Sequence, residues 1–292
     1  MAAALSLDAG EVFEPLAETA PLARALAQAH CDAEIGCGAY HGAWQYLRLL
    51  GVNTTIRGDR PFFIDRFRAA ARAGHRRVLV CGSADYGMLA QLLHAYRLEK
   101  VEPEVVMIDR CLTAVRVNED YARRAGTAIE GRRGHVLEID LPPVDLICTH
   151  SFFGFFSPAE RPALMAAWRR LLRPGGLLVT STPMWRPGVQ APEGHRGPEY
   201  AQRYAASVLE AAKSHPQLAP MAETLAADAA RLRGRNKPHP FCTIDEVRGL
   251  LEGGGFGALH VEMGPEHVGY VGPFAKASEG QRRMEIVATR SA

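Results

Sequence analysis

The sequence predicts an α/β fold in which helices cover both faces of an open parallel sheet. From residue 76 onward, apolar runs of four to six residues alternate with helical stretches of ten residues or more. Runs of this length are typical of strands that are buried on both faces, and their alternation with helices is typical of parallel sheets. The 292 residues, of which 47% are hydrophobic, supply enough apolar material for a sizeable core in one or two domains.

The first 70 residues are predicted to form a helical cap in front of the sheet domain, which would span residues 71–292. Apolar residues recur in this cap at helical spacing in three segments, and Gly51 and Gly74 would end the second and third of them. The three helices are expected at residues 15–30, 41–50 and 61–73.

Seven strands are expected in the sheet domain, with helices between them. The strands are predicted at residues 77–81, 105–109, 135–140, 144–149, 176–181, 258–263 and 285–289, and the helices at 86–96, 112–124, 158–172 and 243–251. The alternation is interrupted at residues 185–240, where two helices are expected at 199–214 and 221–233. This segment is too long for an ordinary connection, so we expect a helical lid or a small subdomain.

Composition excludes several classes of function. The 34 basic and 32 acidic residues nearly cancel, so no strong attraction to nucleic acid is expected. No apolar run approaches the roughly 18 residues of a membrane span, and the first residues lack the basic region of a secretory signal. The six cysteines form no CxxC pair, which favours reduced structural thiols in a cytoplasmic protein and no metal site.

Ligands of open parallel sheets bind at the carboxyl ends of the strands, so the residues that follow each strand are the candidates. Gly82, Ser83 and Ala84 follow the first strand, and their small side chains would let backbone N–H groups approach an anion; a tight turn alone would also need small residues. Asp109 ends the second strand and could accept hydrogen bonds from ribose hydroxyls. Asp140, at the end of the third predicted strand, suits either a base edge or a helix cap.

The clearest motif follows the fourth strand. Residues 171–179 read Leu-Leu-Arg-Pro-Gly-Gly-Leu-Leu-Val, in which Pro174 would end a helix and the two glycines would permit the reversal into a central strand. With this motif the chain resembles the class I S-adenosylmethionine-dependent methyltransferases over about residues 70–184 and 240–290. The resemblance extends to residues 243–256 and to the closing strand at 284–288.

The resemblance implies a Rossmann-like, seven-stranded sheet whose last strand is antiparallel, with S-adenosyl-L-methionine as cofactor. In that family, the loop matching Gly82 to Ala84 approaches the methionine part of the cofactor. The acid that corresponds to Asp109 holds the ribose, and the residue that corresponds to Asp140 frames the adenine. By the same resemblance, Arg110 and Leu141 would be neighbours of the cofactor, and His150 would lie near the sulfonium. The chain departs from the family at Val80, where an acid is common, and at Ala84, where a second glycine is common.

Methyl transfer requires placement of a nucleophile, exclusion of water and, for O–H or N–H groups, removal of a proton. His150, after the fourth strand, is the first candidate for the base, with Ser151, Phe152 and Phe153 supplying a polar contact and an apolar wall. His41, His195 and His239 are further candidates. Each of these histidines could instead be structural.

Selection of the acceptor is expected in the segments outside the matched core. The segment 40–48 is rich in aromatic side chains with polar groups, which suit the roof of a pocket, and its Arg48 could hold a cofactor carboxylate. The alternative is that the helix predicted at residues 41–50 only packs on the sheet. The candidate residues in the cap are Tyr40, His41, Trp44 and Tyr46, and those in the insert are Tyr200, Tyr204 and His239, with His195, Arg196 and Arg235 beside them.

These observations favour methyl transfer to a small molecule, such as a specialised metabolite, with no nucleic-acid or membrane partner and with a homodimer left open. The segment 149–153 lacks the Asn/Asp-Pro-Pro-Tyr/Phe pattern of enzymes that methylate nucleic-acid amines or glutamine. Two alternatives remain: attack on another carbon of the cofactor, giving aminocarboxypropyl transfer or cyclisation, and a non-catalytic cofactor-binding protein.

Overall fold

The computed structural model describes residues 12–32, 36–52, 56–185, 198–235, 239, 241–265 and 281–292. Its centre is a seven-stranded sheet of order β3-β2-β1-β4-β5-β7-β6. Strands β1 to β5 run parallel to one another, and β7 lies antiparallel between β5 and β6. The Rossmann-like fold expected from the sequence is therefore confirmed. The strands are β1 Arg77–Cys81, β2 Glu104–Asp109, β3 Glu130–Arg133, β4 Val144–His150, β5 Leu172–Trp185, β6 Phe256–Met263 and β7 Gln281–Arg290.

The helices that the structure describes lie close to their predicted positions. They are α1 Leu16–His30, α2 Gly38–Leu49, α3 Arg60–Arg72, α4 Gly87–Leu98, α5 Leu112–Arg124, α6 Arg161–Leu171, α7 Pro198–Lys213, α8 Ala222–Arg235 and α9 Ile244–Gly253. In the described part of the chain, none of them is both long and apolar enough to cross a membrane.

The core is divided by the sheet because successive side chains of a strand point to opposite faces. In β1, Val78 and Val80 belong to a cluster that includes side chains of α3, α4 and α5. Leu79 and Cys81 belong to a second cluster, on the other face, with side chains of α6 and α9. Both faces of β1 are thus buried, which explains why its sequence is a continuous apolar run.

The third strand was predicted wrongly. It spans Glu130–Arg133, whereas residues 136–138, within the predicted strand, form a turn. The apolar side chains of Val136, Leu137 and Ile139 imitate a strand in the sequence, but they pack into the second core cluster from a loop. Among the described strands, the true β3 lies at the edge of the sheet and pairs with β2 alone. Its charged residues face solvent and give no apolar signal.

Two helices of the cap and two of the insert pack together into one group, which we call the helical layer: α1, α2, α7 and α8. Their buried side chains form a separate apolar cluster that includes Ala20, Leu47, Val208 and Leu225. An ion pair of 2.9 Å between Arg24 and Asp228 also joins α1 to α8. The cap and the insert, which are distant in sequence, therefore contact each other directly.

Candidate active site

The crevice for a ligand is expected where the order of the strands reverses. Strands β1, β2 and β3 follow one another toward one edge of the sheet, whereas β4 and β5 lie on the other side of β1. The switch point is thus between the carboxyl ends of β1 and β4, and ligands of such sheets bind outside it. The loops that follow β1 and β4 meet at this point.

Gly82 begins the loop after β1 and could not be replaced by a larger residue without strain. Its φ of +65° is in the left-handed region, and an added Cβ would lie 2.0 Å from Cε2 of Phe152. The Gly82 N–H donates to the carbonyl of Ile108 at 3.1 Å. The loop after β4 therefore packs directly on the loop after β1, with the Phe152 ring against the glycine.

Asp85, later in the same loop, joins it to the helical layer. One carboxylate oxygen accepts from the Gly87 N–H at 2.9 Å, and the other accepts from Arg48 Nη1 at 2.6 Å. Arg48 is buried and also contacts Glu14. Burial alone would raise the pKa of Glu14, but the guanidinium of Arg48 holds it below its usual value. Because two protein carboxylates neutralise Arg48, the structure does not support its interpretation as a clamp for a cofactor carboxylate.

Asp109 lies at the carboxyl end of β2, as predicted. Its Oδ1 accepts from the backbone N–H of Cys111 at 2.7 Å, and its carbonyl accepts from the Gly134 N–H at 2.9 Å. Burial raises the pKa of Asp109 to about 6. Arg110 has an exposed side chain, and its backbone carbonyl accepts a hydrogen bond from Arg133 Nε at 3.2 Å. Asp109 is thus held by backbone groups, beside the loop that follows β3.

Asp140 does not lie at the end of a strand, because β3 ends at Arg133. Its side chain is fully exposed and only reaches Arg170, at 3.9 Å, whereas the neighbouring Leu141 is buried. The residues that follow β3 are Gly134 and His135, which sequence reasoning missed when it shifted the strand. A glycine directly after a run of charged residues was the available signal.

His150 ends β4 and takes part in a buried polar cluster. Its Nε2 lies 2.9 Å from Oδ2 of Asp59, a residue in the turn before α3 that is only 3% exposed. The same oxygen accepts from Ser181 Oγ at 2.6 Å and from Arg283 Nε at 2.6 Å. The side chain of His150 keeps 19% of its surface exposed. Sequence reasoning found His150 but missed Asp59, Ser181 and Arg283, because no motif connects them.

Ser151 holds the other side of the imidazole. It has a φ of +59°, and its N–H donates to the Ser181 carbonyl at 2.8 Å. Its Oγ accepts from Arg283 Nη2 at 2.9 Å and lies 3.3 Å from Nδ1 of His150. Because Oγ already accepts a bond, its proton can point to Nδ1. We therefore assign the tautomer in which Nε2–H donates to Asp59 and Nδ1 accepts.

The aromatic residues of α2 have different surroundings. The rings of Tyr40 and Trp44 are 5.1 Å apart and both are half-buried. Burial raises the pKa of Tyr40, and so do the negative charges of Asp109 and Asp85, so its phenol lies near the loops after β1 and β2. Tyr46, by contrast, is only 4% exposed and packs inside the helical layer.

His41 is buried, and its Nδ1 lies 3.3 Å from Sγ of Cys31.

The candidate residues of the insert differ from one another in their surroundings. Tyr204 is buried in the helical layer beneath Arg233, and its ring lies 6.4 Å from that of Tyr200. His239 is exposed, and its N–H donates to the Gly154 carbonyl at 3.0 Å, in the loop that follows β4. His195, Arg196 and the side chain of Arg235 lie outside the described residues.

Comparison with known proteins agrees with this arrangement. Residues 79–180, from β1 into β5, match a family model described as a methyltransferase domain. No curated protein sequence matches the chain. Solved structures of similar fold include a sarcosine dimethylglycine methyltransferase from Galdieria sulphuraria (TM-score 0.50, 16% identity, covering 80% of this chain and 85% of that one). Another is magnesium protoporphyrin IX methyltransferase from Synechocystis PCC 6803, with a TM-score of 0.50 and 11% identity, covering 85% of this chain and 94% of that one.

A third similar structure is geranyl diphosphate C-methyltransferase from Streptomyces coelicolor A3(2) (TM-score 0.50, 13% identity, covering 76% of this chain and 75% of that one). At these identities the likeness concerns the fold. The matched methyltransferase domain contains the loops on both sides of the switch point and lies on the expected strand order. Residues 79–180 of the chain therefore form a methyltransferase domain, carried on a Rossmann-like sheet.

Proposed function

We propose that the chain transfers a methyl group from S-adenosylmethionine to an O–H or N–H group of a small molecule, with His150 as the base that accepts the proton. The observation that carries this proposal is the pairing of His150 with the buried carboxylate of Asp59 at the carboxyl end of β4. A histidine held in this way at the switch point has the position and the chemistry of a general base.

The residues around the crevice fit the cofactor. The loop from Gly82 to Ala84 leads into α4, and because the Gly82 N–H already donates to Ile108, the N–H groups of Ser83 and Ala84 are the ones that suit the carboxylate of the methionine part. Asp109 suits the ribose hydroxyls, because its Oδ1 is used by one backbone N–H and Oδ2 has no partner among the described residues. His135 and Leu141, near the end of β3, are the proposed neighbours of the adenine. When bound, the cofactor supplies an electrophilic methyl group on sulfur.

His150 would work through Nδ1. Asp59 accepts from Nε2–H and thereby holds the tautomer in which Nδ1 carries a lone pair. The acceptor would displace the Ser151 hydroxyl, which lies 3.3 Å from Nδ1. Its proton then moves to Nδ1 as its oxygen or nitrogen takes the methyl group, and the imidazolium that results is stabilised by the Asp59 carboxylate. Arg283 Nε donates to the same carboxylate at 2.6 Å and places a positive charge beside it. Asp59 is therefore a positioning residue and not a catalytic one.

A small acceptor is supported by the surroundings of the crevice. The Arg48–Asp85 ion pair joins the helical layer to the loop after β1, and the charges of Asp85 and Asp109 act on Tyr40 of α2. A crevice bordered by helices in this way suits a small acceptor. Tyr40 and Trp44 are the residues of α2 that we propose as its lining, with Phe152 on the side of β4. The near balance of basic and acidic residues also speaks against a nucleic acid.

The test is to incubate the purified full chain with S-adenosylmethionine and a low-molecular-weight metabolite fraction, and to follow the nucleoside products by mass spectrometry. Formation of S-adenosylhomocysteine, dependent on the metabolite fraction and lost in His150→Ala, is expected. Methylthioadenosine would overturn the proposal in favour of chemistry on the aminocarboxypropyl chain. Methylation only of a protein or nucleic-acid fraction, or binding without any turnover, would also overturn it.

We also propose that the protein works in the cytoplasm. All six cysteines are free thiols, which suits a reducing compartment. Fractionation of the cells that produce the protein, with antibody detection, tests this; recovery outside the cytoplasmic fraction would contradict it.

A further inference from the structure

Four side chains that can bind a metal ion converge beside the part of the crevice that follows β1 and β2, which we call the cofactor half. Cys31 follows α1, Cys37 precedes α2, His41 lies in the first turn of α2, and Cys111 lies between β2 and α5. Their three Sγ atoms and one imidazole nitrogen all lie within 4.8 Å of one another. Since the sequence separates Cys111 from the others by about 70 residues, the spacing of the cysteines did not predict this cluster.

The distances match the edges of a tetrahedron around zinc. Sγ of Cys111 lies 3.6 Å from Sγ of Cys31 and 3.7 Å from Sγ of Cys37, and Sγ of Cys31 lies 3.3 Å from Nδ1 of His41. Zinc–sulfur bonds of about 2.3 Å and zinc–nitrogen bonds of about 2.0 Å give tetrahedral edges of about 3.8 Å and about 3.5 Å. A disulfide would require a sulfur–sulfur distance of about 2.05 Å.

We propose that Cys31, Cys37, His41 and Cys111 form a structural Cys3His zinc site. Three thiolates and an imidazole are a donor set that suits zinc, and four protein ligands leave no open position for catalysis. The cluster is also largely shielded from solvent, because His41 and Cys111 are buried and the other two cysteines are half-buried. This proposal is independent of the acceptor and of methyl transfer.

The site would fix the helical layer to the sheet at the cofactor half of the crevice. Three ligands lie at the junction of α1 and α2, and the fourth lies two residues after Asp109, whose Oδ1 accepts from the Cys111 N–H. A bound metal that fixes Cys111 would thus also hold the proposed ribose acid. Thr113 supports the site, since its Oγ1 lies 3.3 Å from Sγ of Cys31 and donates to the Leu26 carbonyl at 3.1 Å.

The first test is the metal content of the full chain, purified without an affinity tag and measured by inductively coupled plasma mass spectrometry. About one zinc ion per chain is expected. Cys37→Ser and Cys111→Ser should each lose at least about nine-tenths of it, because a structural site needs all four ligands. Cys242→Ser is the matched control and should keep its zinc, since this exposed thiol lies outside the cluster.

A second measurement keeps the proposal testable if a variant does not fold. The wild-type chain is treated with a chelator and then titrated with Co²⁺ alone. One equivalent should produce the intense d–d absorption of tetrahedral cobalt together with thiolate-to-cobalt charge transfer. Absence of both zinc and this spectrum in the wild-type chain would overturn the proposal. So would unchanged metal in both cysteine variants, or a disulfide among these cysteines in the freshly purified protein.

Discussion

The two halves of the crevice are built in different ways. In the cofactor half, after β1 and β2, carboxylates are held by backbone groups two residues away: Asp85 by the Gly87 N–H and Asp109 by the Cys111 N–H. In the half after β4, Asp59 joins His150, Ser181 and Arg283, which are 91, 122 and 224 residues distant in sequence. Local contacts leave a pattern in the sequence, whereas contacts between distant segments leave none.

The largest effect is expected from His150→Ala. If Nδ1 of His150 accepts the proton, turnover should fall by roughly 10²–10⁴-fold while affinity for S-adenosylmethionine stays nearly the same. Kinetics with the acceptor, cofactor titration and thermal unfolding would be measured together, with His94→Ala on α4 as the control. A variant that loses stability but keeps the specific activity of its folded fraction would make His150 structural, and the half after β4 would have no catalytic role.

Arg48→Met tests whether the link between the helical layer and the loop after β1 stabilises the fold. The substitution leaves the buried carboxylate of Asp85 without its ionic partner, whereas Glu14 keeps Arg57 and Arg60, so we expect a loss of about 3 kcal/mol of unfolding free energy. Arg72→Met is the matched control, because Arg72 forms an exposed ion pair with Glu99 whose removal should change the free energy of unfolding very little. Equal losses in urea unfolding of the two variants would refute this assignment.

The third test compares Asp109→Ala with Asp140→Ala. Asp109 lies at the end of β2, whereas Asp140 was expected at the end of β3 but lies in a loop beyond it. Loss of a charged acceptor for ribose hydroxyls should cost about 2–4 kcal/mol, or roughly 30- to 1000-fold in the dissociation constant of S-adenosylmethionine. Asp140→Ala should change it less than about twofold, because its side chain is fully exposed. Calorimetric titration measures both, with the metal content checked in each. Similar affinities for the two variants would remove Asp109 from the proposed cofactor site.

The smallest effect concerns pH. Arg48 holds the pKa of Glu14 below its usual value of 4.5, so Glu14 binds protons less readily in the folded than in the unfolded chain. Its contribution to stability is therefore complete above about pH 4.5 and is lost as the pH falls through the lower folded pKa. Between pH 3 and pH 6, the free energy of unfolding should depend less steeply on pH in Glu14→Gln than in the wild type. Parallel curves would show that Glu14 does not contribute to acid unfolding.

The sheet and half of the site could be predicted because their causes are local. Strands β1, β2 and β4 are buried on both faces and so appear as apolar runs. The Arg-Pro-Gly-Gly segment at residues 173–176 follows closely on the end of α6 at Leu171, as the helix-ending chemistry of Pro174 predicts. Strand β3 was missed for the opposite reason. As an edge strand it needs no apolar side chains, and a loop that packs on the core imitated it.

What the sequence by itself determined is the α/β fold, the methyltransferase domain, and the two residues at strand ends, Asp109 and His150. Only the tertiary structure decided which partners those residues have. It placed Asp59 and Arg283 against His150, placed Arg48 between two carboxylates, and joined three separate segments into the cluster of Cys31, Cys37, His41 and Cys111. The physical reason is that a polar group, once buried, needs a partner close in space, and folding can supply it from any distance along the chain.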